Sequence, residues 1–293
     1  MAQTHPGSLF GFVAVFMKWA TDHPRRTLAA LGLSPRKSLG QNFLADRNVA
    51  RKIVELAQRF PPPFLEIGPG LGALTSLLAE AGAPVVAVEV DRGLAAHLRD
   101  RFGGGPVEIA EADFLSVPAQ EWIRRFPAGG TVVGNLPYSV SSPIVLRLIE
   151  LRDLFSRAVL MLQREMVDRL CAGPGGKEYG ILSVYLGVLA EARKEFVVRR
   201  TCFHPSPDVD SAVMSVRFIG DWPEALVAAL RTVVRAAFAH RRKTLRNAPV
   251  PFLSEGSARW CDLLAAAGID PAGRAEDVPP AAYLALARAL TRL

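Results

Sequence analysis

FLEIGPGLG, residues 64–72, sets a short, mostly apolar run directly against three glycines. Pro61-Pro62-Pro63 ends whatever precedes it, and residues 73–81 carry the apolar spacing of a helix. The stretch reads as strand, tight turn, helix. A glycine-rich turn at such a junction brings backbone close to a ligand at the helix N-terminus. Gly68, Gly70 and Ala73 also fit G-x-G-x-x-A, a dinucleotide-binding spacing. A turn that needs glycine only for packing would look the same.

The same rhythm continues on both sides. Residues 84–90 read as a second strand ending in Glu89, 107–110 as a third with Asp113 just beyond, and 131–133 as a fourth that runs into Gly134-Asn135-Leu136-Pro137-Tyr138. A fifth follows at 158–162, and 194–198 with 212–218 look like a closing pair. Helices fit 93–101 and 144–151, and before the first strand Val49, Ile53, Val54 and Ala57 fall at helical spacing behind Asp46, a plausible cap. Strands and helices alternating in this way predict an α/β fold with a mainly parallel sheet covered on both faces. Ligands of such sheets sit beyond the carboxyl ends of the strands. The positions to inspect are therefore Gly68, Glu89, Asp113 and Asn135. An acidic residue about 20 positions past the glycines suits ribose hydroxyls, and Asp113 suits the exocyclic amine of a base. After Gly220 the pattern is all helical, at 225–239, 258–267 and 281–293.

The 293 residues suggest two domains, and a formal charge of +7 favours a polyanionic partner such as nucleic acid. Cys171, Cys202 and Cys261 are odd in number and far apart, and no histidine has metal-ligand spacing. Neither a disulfide framework nor a metal centre is expected, and a reducing cytoplasm is the natural home. The apolar residues 9–20 are too few to span a bilayer and lack the flanks of a secretory signal, so they read as a short docking helix or an upstream start.

Taken together with Lys37-Ser38-Leu39-Gly40-Gln41-Asn42-Phe43-Leu44, Phe203-His204-Pro205-Ser206-Pro207 and Val209-Asp210-Ser211-Ala212-Val213, these features resemble the class I S-adenosylmethionine-dependent methyltransferases. More narrowly, the chain is similar to the ribosomal RNA adenine N6-dimethyltransferases. The segment Ala237-Phe238-Ala239-His240-Arg241-Arg242-Lys243-Thr244-Leu245-Arg246-Asn247 resembles the branch that acts on the small subunit. The resemblance implies a Rossmann-like methyltransferase sheet at 35–219, behind an extension at 1–34, and a small all-helical RNA-docking domain at 220–293. It implies S-adenosylmethionine as cofactor, held by Asn42, Leu44, Gly68, Gly70, Glu89 and Asp113, with Asn135 between cofactor and substrate. The implied substrate is a pair of adjacent adenines near the 3′ end of small-subunit rRNA in the immature subunit, and the implied enzyme is monomeric, metal-free and cytoplasmic. Asp208 stands where the family often has Lys, and Ile181 where Arg is common, which bears on RNA contacts.

The adenine amine is a poor nucleophile because its lone pair is delocalised into the ring. Neutral acceptors can hold it towards a tetrahedral geometry: the Asn135 amide oxygen and the Leu136 carbonyl, aimed by Pro137. A carboxylate there would stabilise a sulfonium ground state more than the transition state, in which the charge has spread. Tyr138 is one stacking platform for the base, and Phe203 the other by resemblance. Arg241, Arg242, Lys243 and Arg246 follow Phe238 at helical spacing and suit phosphates, although a solvated helix face would look alike. Three rival readings share parts of the pattern: a large-subunit rRNA methyltransferase of the macrolide-resistance type, a non-catalytic RNA-binding assembly factor, and an NAD-dependent oxidoreductase. The last lacks an evident residue set for hydride chemistry.

Overall fold

The computed structural model describes residues 23–254 and 256–292. The apolar run at 9–20, read above as a docking helix or an upstream start, lies outside them. The chain divides into two compact units, one made of Met1–Gln163 and Phe196–Val213, the other of Arg164–Glu195 and Met214–Leu293. The second unit thus begins earlier in the sequence than Gly220 and takes in a segment from the middle of the chain.

In the first unit, α1 (Pro24–Ala30) precedes β1 (Phe43–Leu44) and α2 (Arg47–Ala57). Three strand–helix pairs follow: β2 (Phe64–Ile67) with α3 (Ala73–Glu80), β3 (Val85–Glu89) with α4 (Arg92–Phe102), and β4 (Val107–Glu111) with α5 (Ala119–Arg125). Then come β5 (Thr131–Asn135), α6 (Ser141–Glu150) and β6 (Arg157–Gln163). α7 (Arg164–Leu170) and α8 (Ile181–Leu189) belong to the second unit, and after them the chain forms β7 (Ala190–Val198), β8 (Phe203–His204) and β9 (Ser211–Phe218). Seven strands make one sheet in the order β4-β3-β2-β5-β6-β9-β7, and β1 pairs with β8 in a separate antiparallel ladder. Pairings from β4 through to β6 are parallel. Every residue of β2 and β3 is buried, whereas β4 at the edge is mostly not, as expected where helices cover both faces of the inner strands.

Strand order fixes where a ligand can sit. From β2 the chain moves outward to β3 and β4, then returns to the opposite side of β2 as β5. The connections after β2 and β5 leave in opposite directions, so a crevice opens between their carboxyl ends. Glu66 pairs with Val133, which carries Gly68 to the level of Asn135.

Side-chain caps fix several helices of this unit. Asp46 Oδ1 accepts from the Asn48 and Val49 amides, and Asp91 Oδ1 from those of Gly93 and Leu94. Ser141 Oγ donates to the Pro137 carbonyl at 3.0 Å and starts α6 three residues before the expected position, because Pro143 is tolerated in a first turn. Within the expected extension, Leu28 of α1 packs with Phe43, Leu71 and Leu94, supported by Leu31 and Leu33.

The second unit adds α9 (Glu224–Phe238), α10 (Gly256–Ala266) and α11 (Pro280–Leu290), within a residue or three of the expected helices. Its core is aromatic with satisfied polar tips. Tyr179 Oη donates to the Val278 carbonyl at 2.9 Å, Tyr283 Oη to that of Ala275 at 2.8 Å, and Trp260 Nε1 to that of Leu245 at 2.9 Å. Tyr179 and Ser183 of the Tyr179-Gly180-Ile181-Leu182-Ser183 segment are structural here, since Ser183 Oγ accepts from the Gly180 amide and donates to the Arg169 carbonyl.

Gly72 tests the tightness of the glycine turn. Its φ is +79°, and a Cβ there would lie 3.0 Å from the Phe102 ring and 3.1 Å from Leu98. Gly72→Ala is expected to cost about 2–4 kcal/mol from left-handed strain plus overpacking, read as a lowered midpoint in urea unfolding.

Candidate active site

A cavity of about 240 Å³ opens at the crevice and is lined wholly from the first unit. Its walls are residues 38–44, the glycine turn, the end of β3, residues 112–115, and the segment from Asn135 to Val140. Of the expected site residues, Asn42, Leu44, Gly68, Gly70, Glu89, Asp113, Asn135, Leu136, Pro137 and Tyr138 all line it.

The glycines serve different ends. Gly68 has φ +68°, and its amide donates to the Val88 carbonyl at 2.9 Å, so it offers a ligand its bare Cα and its carbonyl. Gly70 has φ +59° and would drive a Cβ to 3.1 Å from the Phe43 ring. Its amide donates to Glu89 Oε2 at 3.0 Å. Packing therefore requires glycine at 70, and its amide orients the neighbouring carboxylate.

Three carboxylates face the cavity. Glu89 Oε1 accepts from the Asp91 amide at 2.9 Å, so each of its oxygens holds one backbone donor and keeps further acceptor capacity. Burial raises its pKa, and those two amides pull it back. Asp113 is exposed and accepts from the Leu115 amide and the Ser116 hydroxyl. Glu66 was not singled out from sequence as a site residue. It is 1 % exposed, and its Oε2 has no partner among the described residues. Burial pushes its pKa up to about 7, with Thr75 opposing and Glu89 adding to the rise. A charged residue inside a four-residue strand buried throughout was the available signal. Val90, 52 % exposed at the cavity, is a second residue that sequence reasoning passed over; it offers an apolar surface beside Glu89.

The segment after β5 is firmly held. Asn135 Nδ2 donates to the Asn42 carbonyl at 3.0 Å. A carbonyl cannot donate, so this bond fixes which end of the amide is nitrogen and leaves Oδ1 as a free-standing acceptor. The Leu136 amide donates to the Met161 carbonyl at 3.0 Å, and the Pro137 carbonyl accepts from the Val140 amide and Ser141 Oγ. Tyr138 is half-buried, with Oη 2.9 Å from Ser211 Oγ, and burial raises its pKa.

Phe203 differs from its expected place. It is 5 % exposed, belongs to the hydrophobic core with Leu44 and Val54, and does not line the cavity. In the β1–β8 ladder it sits opposite Leu44, so its ring backs a wall residue and presents no open face.

In the second unit the basic run lies past the end of α9, in turns and a short 3₁₀ segment (Leu245–Asn247), not on the helical face its spacing suggested. Arg241 pairs with Glu276 at 2.8 Å and also bonds the Lys177 carbonyl, which makes it a structural tie. Arg242, Lys243 and Arg246 are exposed, with no acidic partner among the described residues.

Comparison with known proteins agrees with this geometry. The family described as "Ribosomal RNA adenine dimethylase" matches residues 32–292. "Ribosomal RNA small subunit methyltransferase A" of Geobacter sulfurreducens is 44 % identical over 274 residues, covering 88 % of this chain and 96 % of the relative. The protein of that name from Methylococcus capsulatus is 43 % identical over 261 residues, covering 87 % and 98 %. Among solved structures, a dimethyladenosine transferase from Plasmodium falciparum superposes with a TM-score of 0.69 at 25 % identity, over 83 % of this chain and 95 % of that one. The 23S rRNA methyltransferase ErmE gives 0.64 at 29 % identity, over 85 % and 100 %.

The protonation of Glu66 has a measurable sign. Between pH 4.5 and about 7 the folded state holds a proton that the unfolded state has released, so this group's contribution to stability falls as pH rises through that window and is level above it. Glu66→Gln removes the loss. The variant is expected to gain on wild type from pH 5 to pH 8, by up to roughly 3 kcal/mol in the ligand-free protein, measured by urea unfolding at each pH.

Proposed function

The chain belongs to the ribosomal RNA adenine dimethylase family, and from that premise we propose that it dimethylates N6 of two adjacent adenines near the 3′ end of small-subunit rRNA, using S-adenosylmethionine. It is an rRNA adenine dimethyltransferase of the small-subunit type. The observation that carries the chemistry is the Asn135 amide, whose nitrogen is committed to the Asn42 carbonyl and whose oxygen remains to accept.

The cavity suits the cofactor. In their ionised forms Glu66, Glu89 and Asp113 only accept, fitting a ligand that is rich in hydroxyl and amine donors and carries positive charge. Unpartnered Glu66 Oε2 calls for such a donor. Glu89 takes the ribose hydroxyls, Asp113 the adenine amine, and Gly68, Asn42 and Leu44 border the amino-acid end. When bound, S-adenosylmethionine supplies a methyl group activated by its sulfonium.

Asn135 Oδ1 and the Leu136 carbonyl accept hydrogen bonds from the target amine and hold its lone pair in line. Neither carries a charge that would favour the cationic ground state. Taking the base out of its stack costs a few kcal/mol, and stacking on Tyr138 returns roughly 1–3 kcal/mol. Phe203 supports the wall from behind Leu44. A monomethylated amine keeps one N–H, so the same acceptors serve a second transfer.

The methyltransferase chemistry is assigned to 35–219 and RNA docking to 220–293, through Arg242, Lys243 and Arg246 with Arg241 as their brace. A monomer working on the immature small subunit in the cytoplasm, with a role in its biogenesis, is the setting that fits. The large-subunit reading is disfavoured by relatives at 44 % identity named for the small subunit, against 29 % for ErmE.

Two measurements test this. Asn135→Ala is expected to leave S-adenosylhomocysteine affinity near normal and to slow methyl transfer to unmethylated small subunits about 10²-fold or more; near-normal turnover would refute its role. Arg242→Glu with Lys243→Glu is expected to weaken binding to small-subunit particles and flatten its salt dependence, with cofactor affinity unchanged. Unchanged particle binding would remove these residues from the interface.

A further inference from the structure

Residues 38–44 run along the cavity as a strap that begins at Arg36, and Ser38, Gln41, Asn42 and Leu44 form part of its wall. The strap's end is held by the β1–β8 ladder at Phe43–Leu44, and two side-chain ties fasten it to the cavity. One is the Asn42 carbonyl, which accepts from Asn135 Nδ2. The other is Asp91, only 3 % exposed, whose Oδ2 accepts from Gln41 Nε2 at 3.2 Å and lies 3.3 Å from Arg36 Nη1. The Arg36 amide closes the arrangement by donating to Gln41 Oε1 at 2.8 Å. The other oxygen of Asp91 caps α4, and its own amide donates to Glu89 Oε1 at 2.9 Å.

We propose that Gln41 and Asp91 are positioning residues that fasten the strap over the cofactor cavity and, through Asn42, aim the Asn135 amide. A buried carboxylate needs donors for both oxygens; α4 satisfies one and the strap the other. With the strap loose, the cavity loses a wall. The Asn135 amide also loses the bond that fixes its orientation, so its nitrogen can turn toward the target amine, donor against donor. Fastening therefore acts on cofactor affinity and on turnover alike. This inference rests on the proposed cofactor assignment.

The test is isothermal titration of the full-length chain with S-adenosylhomocysteine, alongside kcat and KM for small subunits. Gln41→Glu keeps the bond to the Arg36 amide but sets a carboxylate against Asp91. Asp91→Asn alone sets a donor against Gln41 Nε2, while an asparagine remains a good helix cap. The double variant restores the link with its polarity reversed, the introduced amide donating to the introduced carboxylate. Each single variant is expected to weaken S-adenosylhomocysteine binding about tenfold to hundredfold, the range for losing a hydrogen bond to a charged group, and to lower kcat. The double variant is expected to recover to within about threefold of wild type, as a coupled pair should. Gln41→Ala, which introduces no repulsion, is expected to weaken binding as well and stands in if Gln41→Glu fails to fold. Wild-type affinity in Gln41→Ala, or a double variant no better than Gln41→Glu, would overturn the strap, the latter pointing to direct contact between Gln41 and the ligand. A wild-type chain that binds no S-adenosylhomocysteine would overturn the cofactor assignment itself, and this proposal with it.

Discussion

The return of β5 to the far side of β2 is the constraint on which the rest depends. Two adjacent parallel strands whose connections depart in opposite directions cannot have their carboxyl ends covered by either connection. The gap receives what each strand delivers at its end: Gly68 from β2 and Asn135 from β5, placed side by side by register. Glu89 and Asp113 follow from the next two strands outward. The order in sequence, small then acidic then acidic then amide, becomes an order in space across one opening.

Chemistry is distributed along that opening by charge. Carboxylates line the part that suits a cationic, hydroxyl-rich ligand, whereas the part near Asn135 and Tyr138 offers neutral acceptors and an aromatic face. Glu66 shows the cost of this division. A carboxyl buried in the centre of the sheet, with one oxygen unpartnered among the described residues, is driven toward its neutral form.

Much of this was legible in the sequence because the inner strands are nearly pure apolar runs with sharp stops. Phe64–Ile67 sits between three prolines and three glycines, and its bounds match the expected strand. What escaped has physical reasons. The ladder of Phe43–Leu44 with Phe203–His204 has two residues on each side, too few for any period to show. Residues 119–125 fold around a single buried Trp122, and seven residues carry little amphipathic signal. Phe203 reads as an aromatic beside a proline, and only its register opposite Leu44 turns it inward. Arg241 reads as one more cation until Glu276 arrives beside it from a distant part of the chain. Side-chain partners made by tertiary folding leave no local trace.

The ladder between Phe43–Leu44 and Phe203–His204 also bears on how the chain is made. During synthesis from the N-terminus, the first unit has its central parallel strands early but lacks Phe196–Val213 until the nascent chain has grown well past its midpoint. Until then Leu44 and the hydroxyl of Tyr138 have no partner from that segment, and the core of the first unit stays incomplete. Closure of so long a loop is a late, slow event, and an unfinished chain exposes apolar surface that a chaperone would recognise.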